Sequence, residues 1–387
     1  MKLPPLVTTF APLSGDELTR YSRHILLPEL GLTGQQRLKS ARVLVVGAGG
    51  LGSPALLYLA AAGVGTVGVI DFDRVDVSNL QRQVIHRMST VGMPKTASAR
   101  NAIVALNPHV DVRVHDERLD NDNAIELFSQ YDLIVDGTDN FATRYLVNDA
   151  CVLAGKPYVW GSIYRFEGQA SVFWEDAPDG AGVNYRDLYP APPPPHLAPS
   201  CAEGGVLGVL CASIASIMAT ETVKLITGIG ESLLGRLAVY DALDMRYRFL
   251  PLRRAPQRQP IVALDDYPHF CGLATHTEPV RVPTIDATAL KQLLDAGLPF
   301  ELVDVREPNE WELVRIPGAR LMPKQQLLAD GLAKLERTRR TVVYCKGGTR
   351  SRDVVQAMCQ AGFTDVSNLD GGILSWIRTV DPSLPQY

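Results

Sequence analysis

The chain has 387 residues, of which 46% are hydrophobic and 21% charged, with a formal net charge of -4. This length exceeds what one hydrophobic core usually serves and predicts two domains, while the composition excludes extensive disorder and membrane embedding. A slightly acidic balance offers no broad basic field for phosphate backbones, so nucleic acid is not expected as a partner.

The first ten residues carry one lysine and early prolines but no apolar core of signal-peptide length, so export by that route is not expected. Ser14-Gly15-Asp16-Glu17 has capping-box spacing and predicts a helix that carries Arg20 and Arg23, exposed, into Ile25, Leu26 and Leu27. From residue 43 the pattern becomes α/β: a strand at 43–46, a glycine turn, a helix to 62 and a strand at 67–70. Apolar runs at 133–135 and 158–160, separated by helical patterns, extend this to a doubly wound, parallel-sheet nucleotide-binding fold.

Pro190, Pro192, Pro193, Pro194, Pro195 and Pro199 predict an extended exposed loop leading to Cys201. The apolar run 206–219 is broken by Ser213 and Ser216 and falls short of the roughly 20 residues of a bilayer span, so it predicts a buried helix and no membrane association. Periodicity fades after Phe249 into arginines and prolines. The expected domains are therefore 1–252 and 284–387 with a linker at 253–283, the second being a small α/β unit with strands at 302–305 and 341–344. Cys151, Cys201, Cys211, Cys271, Cys345 and Cys359 are too sparse for a disulfide framework and include no CxxC pair, which fits a reducing cytoplasm.

Gly47, Gly49 and Gly52 form GxGxxG between a strand and a helix, a spacing that brings backbone N–H groups to phosphate oxygens. A ligand-free turn would use the same glycines. Asp71, ending the next strand, stands where a ribose hydroxyl would be held. Within Ser78-Asn79-Leu80-Gln81-Arg82-Gln83, Asn79 and Arg82 follow closely, and Lys95 comes after them. These cations suit a triphosphate better than a nicotinamide dinucleotide. Asp139 and Asn140 follow a strand at the carboxyl edge of the sheet, where Asp139 is placed either to hold magnesium beside phosphates or to cap a helix.

Cys201, ahead of a helix, is a candidate reactive thiol, whereas Cys211 reads as core. In Tyr344-Cys345-Lys346-Gly347-Gly348-Thr349-Arg350-Ser351, two glycines let successive amides converge on the Cys345 sulfur, and Lys346 and Arg350 add positive charge, which would stabilise a thiolate or persulfide. Two further readings share these motifs: a nicotinamide-dependent oxidoreductase fused to a sulfurtransferase, and a non-catalytic nucleotide sensor.

The run Val45-Val46-Gly47-Ala48-Gly49-Gly50-Leu51-Gly52, together with Asp71-Phe72-Asp73, the segment from Ser78 to Gln83, Asp136-Gly137-Thr138-Asp139-Asn140 and Arg165-Phe166-Glu167-Gly168-Gln169, resembles the MoeB and ThiF family over residues 15–250. That family is similar to the adenylation half of ubiquitin-activating enzymes. The resemblance implies ATP, Mg2+, a homodimer and a ubiquitin-like sulfur-carrier protein ending in Gly-Gly. Carried over by position, Gly50 and Asp71 would hold adenosine and ribose, Asn79, Arg82 and Lys95 would face the phosphates, Asp139 would bind magnesium, and Arg23 would reach the triphosphate of the partner subunit. Cys201 would lie in a crossover loop with a thioester or disulfide role. Family members often carry a zinc site of two CxxC pairs. Here Asn184 and Asp187 occupy the spacing of the first pair, and no cysteine pair follows between Asp241 and Cys271, so no zinc is expected.

The segment around Cys345, with Asp304-Val305-Arg306-Glu307, Arg315-Ile316-Pro317-Gly318-Ala319 and Asp370-Gly371-Gly372-Ile373, resembles a rhodanese domain. Related phosphatases place five residues between cysteine and arginine. Four separate Cys345 from Arg350, a loop better sized for sulfur. The domain order resembles MoeZ-type adenylyltransferase/sulfurtransferases, including the closing Pro385-Gln386-Tyr387. That resemblance implies adenylation of the carrier's terminal glycine and then sulfur transfer from a Cys345 persulfide. The sulfur would be supplied by thiosulfate or a cysteine desulfurase, in pathways such as molybdenum cofactor, cysteine or thiamine biosynthesis or transfer-RNA thiolation.

Overall fold

Short apolar runs with no polar side to offer solvent form strands covered on both faces, as parallel sheets require. A computed structural model describes residues 2–193, 205–271 and 282–387, divided into a first unit, Met1–Ala274, and a second, Thr275–Tyr387.

The first unit is built on β1 (Arg42–Val46), β2 (Thr66–Ile70), β3 (Asp111–His115), β4 (Leu133–Asp136), β5 (Tyr158–Tyr164), β6 (Glu167–Phe173), β7 (Arg236–Asp241) and β8 (Arg246–Pro251). They lie in the order β3-β2-β1-β4-β5-β6-β7-β8. The first five strands in that order pair in parallel. The remaining three add as antiparallel neighbours, an extension the sequence pattern did not signal. For β6 and β8 the physical reason is connection length: Arg165 and Phe166 alone join β5 to β6 and a short turn joins β7 to β8, whereas a parallel partner would need a crossover of about a dozen residues. Val46 lies between Ile70 and Asp136 in register, so the carboxyl ends of β1, β2 and β4 meet at one edge. Strand order reverses direction at β1, the usual place for a ligand crevice.

The expected capping box is present, with Ser14 and Glu17 exchanging hydrogen bonds at the start of Gly15–Arg20. The expected single helix instead breaks at Tyr21 and resumes as Ser22–Ile25. Tyr21 is buried, and its hydroxyl accepts a 2.8 Å hydrogen bond from Asn107. The buried helix expected at 206–219 runs Gly208–Thr227. By length and composition it could cross a membrane. Yet Leu210, Ile214, Ala215, Met218, Leu225 and Ile226 all join the core of the first unit, the pattern of an internal helix. Residues 253–271, the first part of the expected linker, run along this same unit. Arg258 pairs with Asp187 and Glu175, and the buried Tyr267 hydroxyl lies 2.9 Å from Asp149.

In the second unit β9 (Thr284–Ile285), β10 (Glu301–Asp304), β11 (Arg320–Leu321), β12 (Thr341–Tyr344) and β13 (Val366–Leu369) form an all-parallel sheet ordered β11-β10-β12-β13-β9. Alternation along the strands builds a core on each face. Val303 and Val343 pack with Val354, Val355 and Met358 of the helix Thr349–Gln360. Leu302, Val342 and Tyr344 pack with Ile373, Trp376 and Ile377 of the helix Gly372–Thr379.

Candidate functional site

The carboxyl edge of the first sheet opens into a cavity of about 510 Å³. Its floor is the glycine turn after β1. Gly47 has φ +89°, and a Cβ on Gly52 would lie 1.8 Å from the Gly47 carbonyl oxygen, so only glycine lets the helix Gly52–Ala62 start this close to the strand. Asp71, at the end of β2, accepts from the Ala48 and Asp73 amides at 2.8 Å each, which fixes its carboxylate beside the turn. Burial raises the Asp71 carboxyl above its ordinary value, and nearby Lys95 partly offsets this. Lys95 begins the helix Lys95–Leu106, is itself buried and donates to Asp73 at 2.8 Å.

Gly47, Gly49, Gly50, Asp71, Arg82, Lys95, Asp139 and Asn140 all line this one cavity. The rest of the predicted 78–82 run does not. Ser78 and Asn79 are spent on a local turn, Ser78 donating to Asp76 and Asn79 accepting from its amide. Leu80 and Gln81 lie off the cavity, the Gln81 carbonyl packing close against Gly208. Arg23 is exposed and lines no part of its own chain's cavity. Cys201 lies outside the described residues.

Asn140, not Asp139, caps the helix Phe141–Leu153, accepting from the Thr143 amide at 2.9 Å. Asp139 is therefore left exposed at the cavity rim. Behind it Asp136 is wholly buried, and burial pushes its carboxyl up to about 6 although Thr138 donates to it twice. Three lining groups carried no signal in the sequence: Arg118, whose guanidinium lies 4.5 Å from the centre of the Phe72 ring, Arg144 and Tyr267. They come from unrelated segments, and no spacing rule connects them.

In the first unit the positions expected to lack zinc ligands are otherwise engaged. Asn184 donates to Glu175 at 2.9 Å, and Asp187 accepts from Arg258 at 2.9 Å and from the Ala255 amide.

In the second unit Cys345 directly follows β12 and is buried, 1% exposed. The expected convergence of donors is there: the Gly348 amide lies 3.1 Å from the sulfur, at the start of the helix Thr349–Gln360. Ser351 adds a hydroxyl at 3.3 Å, a donor missed in the sequence because it lies one turn into the helix. The loop cations are more constrained than their sequence suggests. Arg350 makes a bidentate pair with Glu310 at 2.7 and 2.8 Å, and the Lys346 ammonium lies 4.7 Å from the centre of the Tyr387 ring. Burial would raise the Glu310 carboxyl, but the bonds from Arg350 bring it below its ordinary value, while burial lowers Lys346. The Tyr387 hydroxyl bridges Glu310 and the fully buried Arg306, which also pairs with Asp304.

Residues 21–261 match the ThiF family and residues 286–379 the rhodanese-like domain. Over its whole length the chain is 60% identical to a probable adenylyltransferase/sulfurtransferase MoeZ of Mycobacterium tuberculosis, covering 99% of that protein. It is 40% identical to the adenylyltransferase and sulfurtransferase MOCS3 of Mus musculus, over 99% of this chain and 90% of that one. Over 67% of its length the chain is 53% identical to a sulfur carrier protein adenylyltransferase of Thermus thermophilus, covering 98% of that protein. Among solved structures, the fold of E. coli MccB crystallised with ATP superimposes with a TM-score of 0.54 at 21% identity, over 62% of this chain and 73% of that one.

Proposed function

The chain belongs to the ThiF family and carries a rhodanese-like domain in the same polypeptide, and from that premise we propose that it adenylates the terminal glycine of a ubiquitin-like sulfur carrier and then delivers sulfur to it. It is an adenylyltransferase and sulfurtransferase. The observation that carries the reading is the pairing, in one chain, of a glycine-floored cavity holding Asp71, Arg82 and Lys95 with a cysteine just after a strand whose sulfur already meets two donors.

A carboxylate is a poor electrophile until one oxygen becomes part of a good leaving group. In the first unit the carrier carboxylate attacks the α-phosphorus of ATP and pyrophosphate departs. Lys95 and Arg82 place positive charge in the cavity where the phosphates would lie. Asp139, exposed at the rim with no ion pair among the described residues, suits magnesium, which takes one or two carboxylates together with phosphate oxygens. When bound, that ion would neutralise phosphate charge. Arg23, exposed and away from its own cavity, would serve the partner's site in a homodimer.

In the second unit a persulfide on Cys345, loaded from thiosulfate or a cysteine desulfurase, attacks the acyl adenylate. AMP leaves and an acyl disulfide joins carrier to enzyme. A second thiol, for which Cys201 is the candidate, attacks Cys345 in that disulfide, releasing the thiocarboxylate and leaving an enzyme disulfide for cellular reductant. Sparse cysteines with no CxxC pair in the sequence suit this chemistry to a reducing cytoplasm.

The test is incubation with ATP, thiosulfate and Gly-Gly carriers. One carrier is expected to support pyrophosphate exchange into ATP and to exchange one oxygen for sulfur by mass spectrometry. Failure of every carrier to support exchange removes the proposal. Arg23→Ala and Lys95→Ala, each inactive alone, are expected to recover exchange when mixed, and no recovery would mean the site is not shared between subunits.

A further inference from the structure

The segment after β13 grips the cysteine loop twice. The helix Gly372–Thr379 holds it by the main chain, the Ile373 and Leu374 amides donating to the Cys345 and Lys346 carbonyls at 2.8 and 3.2 Å. Beyond that helix a turn closes with the Leu384 amide on the Asp381 carbonyl at 3.2 Å, and Pro382 and Pro385 keep the helix from resuming. Val380, Leu384 and Tyr387 then pack on the core that contains Ile373 and Trp376. The chain is thereby returned to the side chains of the loop whose backbone it has just fixed.

Tyr387 makes that second contact. Its hydroxyl accepts from the fully buried Arg306 and donates to the buried Glu310 at 3.1 Å, a pair of roles that a phenol fills with one oxygen. Seated in this way, the ring presents its centre 4.7 Å from the ammonium of Lys346, the residue that follows the reactive cysteine. A lysine on a free stem spreads its charge over many rotamers, whereas a ring face holds the ammonium in one place. The donors on the Cys345 sulfur, the Gly348 amide and the Ser351 hydroxyl, are both neutral. The ammonium is thus held beside the sulfur, and the charge it suits is the one that arrives with a sulfur donor.

We propose that Tyr387 is a positioning residue for sulfur loading, its ring keeping the Lys346 ammonium where it meets a dianionic donor of the thiosulfate class. In the loading step the Cys345 thiolate attacks the outer sulfur of thiosulfate. The sulfur–sulfur bond of the donor breaks, sulfite leaves with the bonding pair, and Cys345 is left as a persulfide anion. The donor arrives with two negative charges and sulfite departs with two. A fixed ammonium therefore favours the bound donor and the transition state about equally, and its signature is KM rather than kcat.

This inference rests on the reading of Cys345 as the sulfur-bearing residue, and its experiment separates the two. The full chain is assayed for sulfur transfer from thiosulfate to cyanide. Tyr387→Leu is expected to raise the KM for thiosulfate about fivefold with kcat within about twofold, and Tyr387→Phe, which keeps the ring, to leave both within about twofold. Lys346→Met should raise KM as Tyr387→Leu does. The double variant should be no worse than Lys346→Met alone, because the ring acts through the ammonium. Alkylation gives a second reading: the ratio of the iodoacetate rate to the iodoacetamide rate at Cys345, followed by mass spectrometry of its peptide, should fall in Tyr387→Leu and hold in Tyr387→Phe. Effects that multiply in the double variant, a loss of kcat at unchanged KM, or an unaltered alkylation ratio in Tyr387→Leu overturns the proposal. An unchanged KM in Lys346→Met, whose tail is intact, does so even if Tyr387→Leu fails to fold. Thiosulfate turnover that survives Cys345→Ala would instead remove the reading of Cys345.

Discussion

The two sites use the same local device to different ends. Each lies where a parallel strand ends, a glycine-containing loop turns and a helix begins, so that backbone amides collect around one point. In the first unit that point opens into a cavity of about 510 Å³ whose lining includes Arg82, Lys95 and Arg144. In the second the reacting atom belongs to the protein, is almost fully buried, and has its neighbouring cations already engaged by Glu310 and Tyr387. A site that imports an anion lines a ligand-sized space with cations, whereas a site that manufactures one on its own sulfur supplies short-range donors and balances the surrounding charge.

The comparison breaks most sharply at the two chemical centres. Cys345→Ala should lower sulfur transfer by at least about a thousandfold, as loss of a covalent nucleophile does, and leave pyrophosphate exchange intact. Asp139→Ala should do the reverse, lowering exchange about a hundredfold while thiosulfate still loads Cys345. If either substitution disables both activities, the units are not chemically separable as described. A smaller effect tests the glycine floor. Gly52→Ala must displace the Gly47 carbonyl, and should destabilise the first unit by about 2–3 kcal/mol, read as an earlier first transition in urea with the second unchanged.

The smallest effect concerns charge balance in the second unit. The Glu310 carboxyl titrates below its ordinary value of 4.5 when folded. Its contribution to stability is therefore complete above that value and is lost as pH falls through the lower, native one, because the unfolded chain then binds more protons. Glu310→Gln should remove this acid-side decline from the unfolding midpoint of the second unit and lower the midpoint at neutral pH. An unaltered pH profile would mean that the Arg350 pair does not hold the loop.

The amino-acid sequence by itself determined what is local. Strand cores, the glycine turn, Asp71 at the next strand end and the cysteine loop were legible because burial periodicity and backbone sterics act over a few residues. Strand β12 falls at Thr341–Tyr344, the span its apolar run predicted. The capping box at Ser14 likewise needs only the next three residues. Only the tertiary structure decided which polar groups face a ligand and which face each other. Ser78 and Asn79 share a run with Arg82 but turn onto Asp76, and Asn140 takes the helix cap that leaves Asp139 open. Arg350 looks in sequence like a cation for sulfur, yet Glu310, forty positions away, holds it. Arg144 gave no sign at all, since its place in the cavity lining is a property of everything packed around it. Charge and hydrogen-bond satisfaction are settled over distances of a few ångströms between segments the chain order keeps far apart, which spacing along the chain does not encode.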